Sequence, residues 1–411
     1  MNKKISAAVT SAALVLGSTA ANAGIIIPAG DWTLDVNGNV NAFATFHNVT
    51  KDNGEVDHAT TGTSDGGEDN SVSINTGLLP AWLGFTGTTR QNDLDVSFTI
   101  SMQPNVSDNT AGLNLASGDQ TGPLWRQAFI TFGDKSWGSV KMGKDLGSFG
   151  GEAILSDMTL LGVGAGQAQT SGAATTLGGI GTGYIYPAWK GQMSYTTPNF
   201  NGFQATIGIT NPNQINSTTN DSAQGVNNRY QTRFGVEGNV SYTWTGDVAG
   251  KVWLGAASYD MNRDNASGAA DDDYTITAYE AGAKATIGNL GLTGYMYSGR
   301  GAGIITFGQA GYDNGTNKRR DSNGGYLQAT YVIPTGTKLG LAYGRSTLDE
   351  ATGETNNQLV DNNKRWTVGA YHPLTKHLNL VAEYNDLESE GQGGSNQYES
   401  RNVSLGAILF F

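Results

Sequence analysis

From Trp32 to His47 the chain alternates with a period of two. Trp32, Leu34, Val36, Gly38, Val40, Ala42, Ala44 and Phe46 form one set; Thr33, Asp35, Asn37, Asn39, Asn41, Thr45 and His47 form the other, with Phe43 the exception. Strand side chains point to opposite faces in turn, so this segment has one apolar and one polar face. It is also longer than most strands of soluble proteins, whose common length is about five or six residues. The pattern recurs at Leu94–Met102, Phe203–Ile209, Phe234–Trp244, Ala281–Ile287, Leu327–Ile333, Leu378–Tyr384 and Val403–Phe411. After the first residues no window holds 18 apolar residues, which excludes a helical membrane span.

The first 23 residues read differently. Lys3 and Lys4 open them, an apolar-to-small stretch runs from Ile5 to Thr19, and Ala21-Asn22-Ala23 has the form of a cleavage site. This predicts an export signal at 1–23, removed after Ala23, and a single barrel domain over 24–411. The apolar stretch is too short for a spanning helix. With no cysteine, an exported chain has neither a disulfide framework nor thiol chemistry. The net charge of −12 becomes more negative once Lys3 and Lys4 are removed.

Sixteen alternating segments are predicted, near 31–49, 71–87, 92–104, 124–134, 136–144, 187–198, 202–210, 229–245, 250–260, 274–288, 290–299, 323–333, 338–347, 364–373, 377–386 and 399–411. Short turns and long polar loops separate them in strict alternation. In lipid every backbone N–H and C=O must be satisfied internally, so strands cross only as a closed barrel. An even strand number, short turns at one end and long loops at the other match that class. Aromatics near segment ends, among them Trp32, Trp137, Trp189, Tyr195, Tyr242, Trp244, Trp366, Tyr371 and Phe411, fit interfacial girdles. A soluble sandwich buries apolar residues on its inner faces. Here the polar faces carry Asp35, Arg233, Glu237, Glu280, Lys284 and Glu383, which predicts a wet lumen. The expected fold is therefore all-β, a 16-stranded antiparallel transmembrane barrel whose third long loop, about 145–186, folds inward. A loop of that length inside a compact domain implies a function.

Several stretches carry a resemblance. They are WRQAFITFGDKSWGSVKMGKDLG from Trp125, Ser156-Asp157-Met158, MSYTTPNFNGF at Met193–Phe203, and KRWTVGAYHPLTKHLNLVAEYN followed by NVSLGAILFF at the end. In this order and spacing the chain resembles the trimeric general porins of Gram-negative outer membranes, over essentially all of its mature length. The resemblance implies a homotrimer and an hourglass pore in which carboxylates of the third loop face a ladder of basic wall residues. It matches Arg126 to a wall arginine and Asp157 to a loop carboxylate. Two positions depart from the family pattern: Ala81-Trp82 stands where an arginine often precedes Leu-Gly-Phe, and Leu161 stands where the loop often has a second acid. Both predict a weaker transverse field.

Within the loop, Glu152–Leu161 can form a short helix with Ile154, Leu155, Met158 and Leu161 on one face. That face would pack on the wall and turn Asp157 and Glu152 to the lumen. Arg126, Lys141, Lys144 and Lys190 are the candidate basic wall. With Arg126 inward, Gln127 and Thr131 point outward, and Leu78-Leu79-Pro80 breaks its alternation; both predict a subunit contact outside the early strands. Asp271-Asp272-Asp273 reads as a solvated loop run, and Lys318-Arg319-Arg320 as a cluster able to meet lipopolysaccharide phosphates. His47, His58, His372 and His377 lie in no HExxH pattern, and the chain offers no catalytic residue, metal site or cofactor motif.

The expected function is an outer-membrane pore for passive diffusion of small hydrophilic solutes and ions, weakly cation-preferring. Its expected partners are two further copies, outer-membrane lipid, lipopolysaccharide and the solutes themselves, with no nucleic acid. Three other readings remain open at this point. A substrate-selective channel would show an aromatic ladder along the lumen, a hydrolase would need a nucleophile within reach of a histidine, and a structural or adhesive barrel would have a plugged lumen.

Overall fold

The computed structural model describes residues 24–60, 69–104, 124–165, 175–211, 228–230, 233–264, 272–313 and 315–411. The expected leader at 1–23, the loop tip at 166–174 and Asp271 lie outside the described residues. The chain forms a closed antiparallel barrel of sixteen strands. In chain order they are β1 (Trp32–Asn53), β2 (in two pieces, Asn70–Asn75 and Trp82–Gln91), β3 (Leu94–Gln103), β4 (Leu124–Asp134), β5 (Gly138–Leu146), β6 (Trp189–Thr196), β7 (Phe203–Thr210) and β8 (Gly235–Trp244). There follow β9 (Val248–Asp264), β10 (Asp272–Ile287), β11 (Leu290–Arg300), β12 (Asp321–Val332), β13 (Lys338–Leu348), β14 (Val360–Pro373), β15 (Leu378–Gly391) and β16 (Gln397–Phe410).

Each strand pairs with the next. The sheet closes because β1 pairs with β16, from Asn39↔Phe410 to Asn53↔Gln397, as well as with both pieces of β2. A short strand, Ile25–Ala29, continues the seam where β16 stops, pairing Ile25↔Val36 through Ala29↔Trp32. Ile25 and Ile27 share the outward apolar face of their partners Val36 and Leu34, while Ile26 lies opposite Asp35 on the other face. The sequence segmentation had no segment there.

The register turns the two-residue pattern into two surfaces. One row crosses six strands through Leu341, Val368, Tyr384, Val403, Phe46 and Val72, each 41–74 % exposed. One residue away along the strands, the row Thr367, Asn385, Asn402 and His47 is buried inside. Thr367 Oγ1 donates to Asn385 Oδ1 at 2.5 Å, and Asn385 Nδ2 donates to Asn402 Oδ1 at 2.9 Å. A one-residue slip would exchange these surfaces, placing amides in lipid.

Strand β2 breaks at 76–81, where one continuous segment was expected. Pro80 has no N–H to give a ladder, and the chain leaves the sheet toward the lumen. Two inward asparagines of β1 stand in for the lost partner. Asn41 Nδ2 donates to Leu79 O at 2.9 Å and Asn39 Nδ2 to Pro80 O at 3.0 Å, while Gly77 N donates to Asn41 Oδ1 at 2.9 Å. Leu78 and Leu79 are buried in the main apolar cluster with Phe43. The Phe43 exception in β1 and the Leu78-Leu79-Pro80 irregularity thus have one internal cause, rather than the external subunit contact expected from the sequence. Gln127 and Thr131 are likewise buried and inward, in register with Ser101 and Ser97, and not outward. Substituting Phe43→Ala should cost about 3–5 kcal/mol of stability, measured as a lower denaturant midpoint of the folded barrel.

Candidate functional site

The site is the connection between β5 and β6. It enters the lumen at Gly147 and returns at Ala188, where Gly147 N donates to Ala188 O at 2.9 Å. Its first limb holds a six-residue helix, α1 (Gly151–Ser156), and a 3-10 turn (Met158–Leu161). The expected helix over Glu152–Leu161 is therefore interrupted, at Asp157, whose backbone is extended. Ile154 and Met158 are buried as expected, and Leu155 and Leu161 pack partly against the same cluster.

Three wall carboxylates bind the main chain of this loop. Glu237 of β8 accepts from Ser148 N at 2.7 Å and Phe149 N at 3.2 Å. Glu280 of β10 accepts from Gly150 N at 2.8 Å. Glu383 of β15 accepts from Val163 N and Gly164 N, both at 2.8 Å. Each carboxylate also accepts a hydroxyl from a tyrosine on a neighbouring strand: Tyr259 for Glu237, Tyr295 at 2.8 Å for Glu280, and Tyr371 at 2.7 Å for Glu383. Hydrogen bonds to a charged acceptor are worth about 1.5–3 kcal/mol each, and losing a buried partner costs the full desolvation of the group left behind. The three glutamates expected to wet the lumen are instead 2–4 % exposed and committed to the loop.

Further contacts continue around the same side. Met158 N donates to Gln328 Oε1 at 2.7 Å, Tyr326 Oη donates to Ala153 O at 2.8 Å, and Gly183 N donates to Ser346 Oγ at 2.9 Å. Asn402 Nδ2 donates to Gly164 O at 3.2 Å. From the side of the long loops, Tyr186 N donates to Ile305 O at 2.9 Å, and the rings of Phe149 and Phe307 meet edge to face at 5.4 Å. A Cβ on Gly162 would stand 2.1 Å from Glu383 Oε1, so the carboxylate reaches Val163 and Gly164 only past a residue with no side chain.

The structure gathers some of the candidate residues and separates others. Asp157 does not face open lumen: its carboxylate accepts Thr159 N at 2.9 Å and Tyr184 Oη at 2.9 Å, lies 3.6 Å from Arg365 Nη2 and is 1 % exposed. The helix break at this residue turns the side chain to cap the next turn. Glu152 does stand at an open edge, paired with Lys251 of β9, each 21 % exposed. Lys284 is the register partner of Lys251 and lies 3.3 Å from Ser156 Oγ. Lys190 is sealed against Glu237 and Tyr259 at 1 % exposure. Lys141 faces inward and bonds Asp145 Oδ2 at 2.6 Å. Lys144 is outward, because its register partner Ala128 alternates with the outward Ile130; its Nζ donates to Trp125 O at 2.9 Å. Arg126 sits at a β-bulge, which removes it from the alternation, and its guanidinium lies 6.0 Å from the Trp189 ring centroid. Arg233 precedes β8 and pairs at 3.1 Å with Asp260, in line with the outward Val252 and Leu254 of β9, so it is not in the lumen.

Lys251 was missed by the sequence reading. Its signal was present: Val252, Leu254 and Ala256 fall on the outward face, which places Lys251 inside. Arg365 was missed as the counter-ion of Asp157, since nothing local to either residue predicts a contact across the barrel. Among the described residues, no group of three His, Cys, Asp or Glu side chains is placed to hold a metal. Replacing Glu383 by Ala should free Val163 and Gly164, and is expected to raise the single-channel current and its noise and to open the loop to protease, with the barrel still heat-resistant. Unchanged current and protection would remove the role assigned to this carboxylate.

Residues 8–392 match the family described as Gram-negative porin. Among solved structures, the outer membrane channel DcaP of Acinetobacter baumannii shares 17 % identity at a TM-score of 0.67, covering 95 % of this chain and 100 % of that one. OmpF of Salmonella typhi, solved with daunomycin, shares 18 % identity at 0.62, covering 94 % and 100 %. OmpT of Vibrio cholerae in a trimer form shares 15 % at 0.55, covering 92 % and 99 %. No curated protein sequence matches the chain significantly. At such identities these structures show the fold alone, and the family match runs from β1 through β15. With an apolar exterior, a polar interior and a loop tied across the lumen, the chain belongs to the Gram-negative porins, pore proteins of the outer membrane.

Proposed function

We propose that the protein is a passive diffusion pore for small hydrophilic solutes and ions. In this reading it is exported by the leader at 1–23, cut after Ala23, and works as a homotrimer surrounded by outer-membrane lipid and lipopolysaccharide. The observation that carries it is the loop anchored by Glu237, Glu280 and Glu383, which narrows a polar lumen. A trimer form of the Vibrio cholerae neighbour of similar fold supports the oligomeric state.

A substrate-selective channel would need aromatic faces open to the passing solute. Trp253, Tyr259, Tyr295, Tyr297, Tyr326 and Tyr371 do point inward, but they are only 0–5 % exposed beneath the loops. They fill space between wall and loop, and this favours general diffusion. The weak cation preference follows from the acidic chain and its acidic loops, which raise local cation concentration at the mouth. At the constriction the exposed charges lean the other way, with Lys251 and Lys284 beside a single acid, Glu152. These opposing contributions keep the preference small.

In a planar bilayer with a salt gradient, the refolded protein should conduct in groups of three ohmic steps with a small reversal potential of cation sign. Substituting Lys251→Gln and Lys284→Gln together should increase the cation-to-anion permeability ratio about two- to fivefold. A shift toward anions would contradict the assignment of these lysines to the pore. A silent but folded barrel would contradict the channel itself.

A further inference from the structure

Three wall carboxylates fix the first limb of the constriction loop; the return limb is held by other means. Over residues 178–188 it lies against β13, where Gly183 N donates to Ser346 Oγ at 2.9 Å. A second loop, the connection of β11 to β12 at 301–320, covers it from the long-loop end. The two main chains form a parallel bridge between Tyr186 and Thr306, in which Tyr186 N donates to Ile305 O at 2.9 Å. Gly181 lies beneath Ile305, and a Cβ there would meet Ile305 Cγ1 at 2.9 Å.

The second loop is closed at its base. Gly301 N donates to Arg320 O and Arg320 N to Gly311 O, both at 2.8 Å. The Arg320 guanidinium is buried there, donating to Ala310 O and to Glu354 Oε2, both at 2.8 Å. Inside the loop Gly308 N donates to Ala302 O at 2.6 Å. Ends this close make a compact loop packed on its own atoms, which presents the tip at 304–307 in one position. The tip joins two apolar clusters. Phe307 belongs to the lumen cluster, with its ring 5.4 Å from that of Phe149 on the first limb and 4.8 Å from that of Tyr259 on β9. Ile304 belongs to a separate cluster at the mouth, with Val56, Leu348, Leu359, Val360 and Tyr398. Ile305 packs against both.

We propose that Ile305 and Phe307 are positioning residues of the constriction. Through them the β11–β12 loop wedges the return limb against β13 and couples it to the loops of the outer mouth. The first limb is independent of this wedge at Val163 and Gly164, whose amides are taken by Glu383. Packed interfaces switch between discrete arrangements instead of deforming smoothly. A disturbance of the mouth cluster therefore reaches the return limb, and with it the width of the path. Only the electrical readout of this role rests on the pore reading.

The test uses the full mature chain folded in detergent, and reads residue-resolved amide exchange together with single-channel current. In Phe307→Ala the Tyr186 amide should exchange about tenfold faster than in wild type, and the open-channel noise should rise. The amides of Val163 and Gly164 should keep their wild-type rates, and Phe307→Leu should restore most of the protection at Tyr186. Leu359→Ala, in the mouth cluster and outside the constriction loop, should speed exchange at Tyr186 in the same direction and by less. Wild-type exchange at Tyr186 in Phe307→Ala would overturn the positioning role. So would equal acceleration at Tyr186, Val163 and Gly164, which marks a general loosening of the barrel. An unchanged Tyr186 amide in Leu359→Ala would overturn the coupling to the mouth, and this variant carries the same comparison should Phe307→Ala not fold. A wild type that protects these amides and passes no current would strike the pore reading and leave the positioning role standing.

Discussion

Everything inside this barrel depends on a carboxylate accepting backbone N–H groups. A loop drawn into a lumen exposes main-chain donors that a strand would have paired with its neighbour. Glu237, Glu280 and Glu383 take up five of them, at Ser148, Phe149, Gly150, Val163 and Gly164. Because the three glutamates lie on β8, β10 and β15, the loop is fixed at both ends of its first limb to well-separated parts of the wall. A single anchor would leave it free to swing, whereas two groups of anchors set its path. The tyrosines that donate to the same carboxylates complete the arrangement and fill the space between wall and loop.

The alternation that builds the wall also explains why the inside tolerates such groups. Outward rows are apolar because lipid offers no partner for a polar atom. Inward rows carry amides, hydroxyls and carboxylates, which find partners in one another or in the loop. The Thr367–Asn385–Asn402 chain, ending on Gly164 O, and the asparagines that replace the ladder at 76–81 do the same work in different places.

Most of the fold was legible in the sequence because strand period and lipid exclusion are both local in their demands. The alternation from Trp32 to His47 is enough to place a strand and its two faces. The site was less legible, for three separate physical reasons. Asp157 had the right residue type and the right loop, but a helix break turned it into a cap, and its partner Arg365 comes from a strand 208 positions later. Lys144 has the same charge as Lys141, but its position in the register puts it on the other face. Arg126 carries the family match, yet a bulge at that residue suspends the rule by which its direction would be read. The break in β2 could be seen as an irregularity, while its inward course depends on Asn39, Asn41 and the carbonyl of Gly162, which accepts from Leu78 N at 2.9 Å, contacts that no local pattern contains.

The most direct test of this account is amide hydrogen exchange, resolved by residue, on the folded wild-type barrel. If wall carboxylates hold the loop, the amides of Gly150, Val163 and Gly164 exchange as slowly as those of the barrel strands. Exchange at the rate of an exposed loop, in a barrel whose strands remain protected, would contradict it.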